Sequence, residues 1–139
     1  MRITLFSVEE ANRLLPAIRP QVERLRAMKR EFDRLETRTE VLLVATSGAA
    51  PDNPDAIELR GMSEKRRRLG ENIGRGIAAL HEKGVLVKDL DKGLCDFYAL
   101  AGDRLILLCW QLGESEIAFW HSLEDGYKGR QSLKNAGLE

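Results

Sequence analysis

Apolar residues at Ile18, Val22, Leu25, Met28, Phe32, Leu35, Leu42 and Leu43 recur mostly in steps of three and four. That spacing predicts a long helix with one buried face. Thr39 interrupts the seam without ending it. Upstream, Ser7-Val8-Glu9-Glu10 reads as a capping box, so helix starts near Val8. Pro16 falls well inside this segment; it lacks an N–H and disfavours helical angles at Leu15. A break or kink is expected at Leu15–Pro16, with Pro20 tolerated close to the new start. The run Ser47-Gly48-Ala49-Ala50-Pro51-Asp52-Asn53-Pro54 ends the helix. A second seam follows, through Ile57, Met62, Leu69, Ile73, Ile77 and Leu80, and Gly84 sits where a terminating glycine belongs. The prediction is an antiparallel helical hairpin over 7–46 and 55–83. Gly70, Gly74 and Gly76 inside the second arm point to a close neighbour, each otherwise costing about 1 kcal/mol relative to alanine.

The pattern then changes period. Val85–Lys88, Leu94–Leu100, Arg104–Leu112 and Glu116–His121 are short, apolar or β-branched runs. Gly102-Asp103 is a hairpin turn, and pairing across it sets opposite each other residues whose numbers sum to 205. Cys95 then faces Trp110 and Asp96 faces Cys109, so the thiols fall on opposite sheet faces and are free. The expected sheet is antiparallel, with three or four strands over 85–121. Residues 122–139, with Gly126 and Gly129, are expected to form a loop and tail, and those glycines free the segment to fold back over the sheet. The fold class is therefore α+β: a kinked N-terminal helix and a long helical hairpin packed on a small sheet, in one domain of 139 residues.

Both sheet faces carry apolar residues, so both need a cover. The hairpin supplies one. Its coiled-coil-like arms of about 27 residues, roughly 40 Å, also outrun so small a sheet. A second subunit is the expected cover, making the protein a homodimeric interaction or scaffold module.

Composition narrows the classes. Hydrophobic residues are 43% and charged residues 32%, as in a globular chain. Lys+Arg and Asp+Glu are both 22, giving zero net charge, which argues against a protein built to grip nucleic acid. The run Lys65-Arg66-Arg67-Arg68 wraps a helix turn and is offset by Glu64 and Glu71. No apolar run is long enough to span a membrane, and a cytoplasmic location is expected.

Three blocks carry a resemblance: FSVEEANRLLPAIRP, VKDLDKGLCDFYAL and LLCWQLGESEIAFWHSLEDGYKGRQSL. In these the chain resembles the bacterial domain of unknown function 2203 over nearly its whole length. The family supplies no activity to transfer. It does point to Asp89, Asp91, Gly93, Asp96 and Phe97 in the middle block. In the last block it points to Trp110, Gly113, Glu114, Trp120, His121, Gly126, Gly129 and Arg130.

The candidate chemistry lies among these residues. His121 with Glu114, Glu116 and the aspartates offers imidazole and carboxylates to a divalent metal. Asp89, Asp91 and Asp96, with Trp110, Trp120 and Arg130, are candidates for ligand binding. Gly126-Tyr127-Lys128-Gly129-Arg130 suits a small anion. The rival to the interaction module is thus a small metal-dependent or anionic-ligand-binding enzyme using His121, Glu114, Asp96 and Arg130. Asp96 needs a partner if buried, and Arg130 is expected to reach it or the Asp89–Asp91 turn. Asp89 and Asp91 also suit a plain turn, and Cys109 reads as a buried small hydrophobe.

The turn after the third strand decides whether His121 joins Asp96. A two-residue turn at Gly113-Glu114 pairs Trp110 with Ile117 and turns His121 to the Trp110 face. A three-residue turn including Ser115 pairs Cys109 with Phe119 and turns His121 to the Asp96 face.

Overall fold

The computed structural model describes residues 3–135. Helix α1 spans Val8–Ala45 and α2 spans Pro54–Glu82. The sheet comprises β1 (Leu86–Asp89), β2 (Leu94–Ala101), β3 (Arg104–Gln111), β4 (Phe119–His121) and β5 (Gln131–Ser132). The strands run antiparallel in chain order, each bonded to the next.

The helix ends follow from local chemistry. Ser7 Oγ accepts from the Glu10 N–H at 3.1 Å, and the Ser7 N–H donates to the Glu10 carboxylate at 2.9 Å. At the far end of α2, Gly84 takes φ 90°. The Val85 N–H reaches the Leu80 carbonyl and the Gly84 N–H the His81 carbonyl. This is a Schellman cap, sealed by the fully buried Leu80 and Val85.

The break expected at Leu15–Pro16 does not occur, because α1 runs unbroken through Pro16 and Pro20. Both prolines are exposed, while Leu15, Ile18 and Val22 are buried against the sheet. Burial of three large side chains, at about 1.5–3 kcal/mol each, offsets the cost of two interior prolines, about 3 kcal/mol each. Thr39, the gap in the seam, is buried; its hydroxyl donates to the Glu36 carbonyl at 2.8 Å.

The inner sheet face packs on the first half of α1. Cys95, Phe97, Ala99, Ile106, Leu108, Trp110 and Trp120 share a core with Ala11, Leu15, Ile18, Val22 and Leu25. Beyond Met28 the hairpin leaves that core, and its buried seam of Leu35, Thr39 and Leu42 lies outside it. An α1 of 38 residues is about 57 Å long, against about 27 Å for the eight-residue strands.

The sheet has five strands rather than three or four. The extra strand arises because the segment after His121 does not trail away. It turns at Gly126 (φ 66°), forms a 3-10 turn at Tyr127–Gly129, and returns to pair Gln131 with Trp120. It thereby covers part of the outer face, for which a second subunit was expected. The last four residues of the tail lie outside the described residues.

Candidate functional site

Register builds the site. Strands β2 and β3 pair as the turn at Gly102-Asp103 requires, Cys95 with Trp110 and Asp96 with Cys109. Cys109 then pairs with Phe119, and Leu107 with His121. That is the register which places His121 on the Asp96 face. The connection is longer than three residues, because residues 112–118 stay out of the ladder. Helix α1 holds this loop. The Asn12 side-chain oxygen accepts from the Ile117 N–H at 2.7 Å, and Arg19 donates to the Ser115 carbonyl at 3.2 Å. The Trp110 indole N–H donates to the Glu114 carbonyl at 2.9 Å.

Asp96, Cys109 and His121 thus sit on three adjacent strands, exposed by 1%, 0% and 2%. His121 Nε2 lies 3.0 Å from Asp96 Oδ2, and His121 Nδ1 lies 2.8 Å from the Ser122 carbonyl. A carbonyl only accepts, so Nδ1 carries a hydrogen. The other contact holds one proton shared between Nε2 and Oδ2. Drawn as imidazolium with carboxylate or as imidazole with carboxylic acid, the pair has zero net charge. Burial pushes the Asp96 carboxyl above its ordinary range, and His121 opposes that rise. Asp96 Oδ1 is buried with no hydrogen-bond partner. Burial, then the nearby Asp96, pushes the Cys109 thiol up to about 12. A thiol so held is no nucleophile at neutral pH.

A pocket of about 280 Å³ reaches this pair from solvent, with Asp96, His121, Leu107 and Tyr127 among its walls and Lys88 and Lys92 at its rim.

Arg130 does not reach Asp96 or the Asp89–Asp91 turn. Its guanidinium donates to Glu114 Oε1 at 2.7 Å and to the Cys109 carbonyl at 3.3 Å. It lies over the rings of Phe119, at 4.2 Å, and Tyr127, at 5.0 Å. The same Glu114 oxygen accepts from the Gln111 N–H at 2.8 Å. Asp96 Oδ2 is paired with a histidine from β4, and the arginine goes to the loop carboxylate nearest its own turn. Glu114 is therefore committed to Arg130 and stands apart from His121 as a metal ligand.

Of the remaining candidates, Asp89 lines the same pocket as Asp96 and His121, and the others lie elsewhere. Asp89 accepts from the Lys92 N–H at 3.1 Å, which is turn chemistry. Asp91 is exposed, 3.7 Å from Lys29 on α1. Trp110 and Trp120 belong to the inner core, on the face away from His121. The member that inspection of residue types missed is Cys109. The signal was present in the hairpin register, which already sets it opposite Asp96.

Fold and site together define an α+β domain, a helical hairpin on an antiparallel sheet with a buried Asp–Cys–His cluster on the outer sheet face. No helix among the described residues is long and apolar enough to cross a membrane. The chain belongs to the family described as uncharacterized conserved protein (DUF2203), whose model matches residues 4–133. No curated protein and no solved structure matches it.

Proposed function

We propose that the protein is a homodimeric interaction module whose projecting hairpin is the docking arm. The observation that carries this reading is the apolar tip. Val41, Leu43 and Val44 on α1 and Ile57 on α2 are 54%, 60%, 81% and 53% exposed. Four consecutive apolar residues, Val41–Val44, cover most of the helix circumference. One partner helix buries one stripe, and only Leu42 is buried. Clustered exposed aliphatics of this kind mark contact surfaces. A second copy suits the tip best, because an apolar patch is complementary to itself across a twofold axis. Charges of both signs flank it, as in the Arg38–Glu58 pair, and they select no partner of opposite charge. Light scattering after size exclusion, at tens of micromolar, tests the proposal. A dimer that Val41→Glu/Val44→Glu converts to a folded monomer is the expected result. A wild-type chain of monomer mass overturns it.

The outer-face pocket supports a second reading, a site for a small anionic ligand. Lys88 and Lys92 supply positive charge there, beside the carboxylate of Asp89. Thermal-shift titration with phosphate and small carboxylates tests this. A shift abolished by Lys92→Glu supports it, and no shift at millimolar concentrations removes it.

A further inference from the structure

We propose that Asp96, Cys109 and His121 form a binding site for a divalent metal of the zinc class, with an open coordination position toward the outer-face pocket. One ligand atom from each residue lies within 4.8 Å of those of the other two. The donors are a carboxylate oxygen, a thiolate and an imidazole, a set that suits zinc. Zinc bonds of about 2.0–2.3 Å require only small side-chain adjustments from these separations.

Three further observations point the same way. His121 Nδ1 donates to the Ser122 carbonyl at 2.8 Å. This second contact is what a metal-bound histidine usually makes, since it fixes the ring and leaves Nε2 for the ion. Asp96 Oδ1 is buried and without a partner, so the carboxylate has unused acceptor capacity at the cluster. The pocket lined by Asp96 and His121 gives an entry path and room for a fourth ligand.

Charge balance favours the exchange. In the metal-free state the Asp96–His121 pair holds one shared proton and Cys109 holds one thiol proton. Binding forms bonds from the ion to Nε2, to a carboxylate oxygen and to Sγ, and both protons pass to solvent. Imidazole, carboxylate, thiolate and the dication sum to zero, as did the protonated cluster. The buried site therefore acquires a metal without acquiring net charge, which avoids the main cost of placing an ion inside a protein. The inference concerns the sheet and is independent of association through the hairpin.

The test is titration of metal-stripped full-length protein with Co²⁺, read by the thiolate-to-cobalt charge-transfer band in the near ultraviolet. The band is expected to saturate at one ion per chain and to disappear when Zn²⁺ displaces cobalt. Cys109→Ser should abolish the band and weaken Zn²⁺ binding at least about tenfold in competition with a chelator, since even outer partners of a metal site are worth that much. Cys95→Ser, on the opposite sheet face, should keep the band. Absence of a saturable band in the wild-type protein overturns the proposal whatever the variants do. A band that persists in folded Cys109→Ser overturns it equally.

Discussion

Replacing Asp96 by asparagine should cost far less stability than removing its partner. The metal-free pair has zero net charge with one proton between Nε2 and Oδ2. An asparagine keeps that arrangement with neutral groups. Its amide N–H donates to His121 Nε2, and Nδ1–H still donates to the Ser122 carbonyl. The orphan oxygen is an orphan already. The new defect is one unpaired amide hydrogen, worth about 1 kcal/mol. His121→Ala is different, because it strands a buried carboxyl and leaves a cavity where a ring was 2% exposed. The lost contact is worth about 1.5–3 kcal/mol, and with the cavity the total is about 3–4 kcal/mol. Asp96→Ala should fall near that larger value. Urea unfolding with a chelator present, comparing midpoints at constant slope, measures all three. If Asp96→Asn loses as much as His121→Ala, the carboxylate charge itself holds the pair and the neutral-exchange reasoning is wrong.

Arg130→Ala should cost about 2 kcal/mol, between exposed and buried ion pairs, because its partner Glu114 keeps the Gln111 N–H. Urea unfolding should find that loss non-additive with Glu114→Gln and additive with Asp96→Asn; coupling to Asp96 instead would contradict the observed contacts. The two glycines near the end of α2 should behave oppositely in thermal melts. A Cβ at Gly74 meets nothing within 4 Å, so Gly74→Ala should stabilise by about 0.4–1 kcal/mol. A Cβ at Gly76 would stand 2.5 Å from a methyl of the buried Leu25, so Gly76→Ala should destabilise; equal shifts in the two would show that Leu25 yields freely. The Ser7 backbone N–H, then the Ser7 hydroxyl, holds the Glu10 carboxyl below the ordinary glutamate range. Its contribution is therefore present above the unfolded pKa of about 4.3 and is lost as pH falls through the lower folded value. An NMR titration should show this depression partly relieved in Ser7→Ala; no change there would remove the hydroxyl's part.

What the sequence determined by itself was local. Ser7 and Glu10, three residues apart, define the first turn of α1. Gly84 defines the end of α2, and Gly102-Asp103 sets Cys95 against Trp110 and Asp96 against Cys109. Each of these depends on groups a few residues apart or on a tight turn, where backbone geometry leaves few alternatives. The tertiary structure decided the rest. Pro16 stays helical because Leu15, Ile18 and Val22 meet a sheet some eighty residues away. His121 reaches Asp96 because Asn12 and Arg19 of α1 grip the β3–β4 loop and fix which of two registers forms. Arg130 takes Glu114 because the chain turns back at Gly126 and lays the guanidinium between Phe119 and Tyr127. A buried charge accepts whichever partner the packed chain brings within about 3 Å. Sequence spacing does not encode that distance, since it depends on contacts made by segments far apart along the chain.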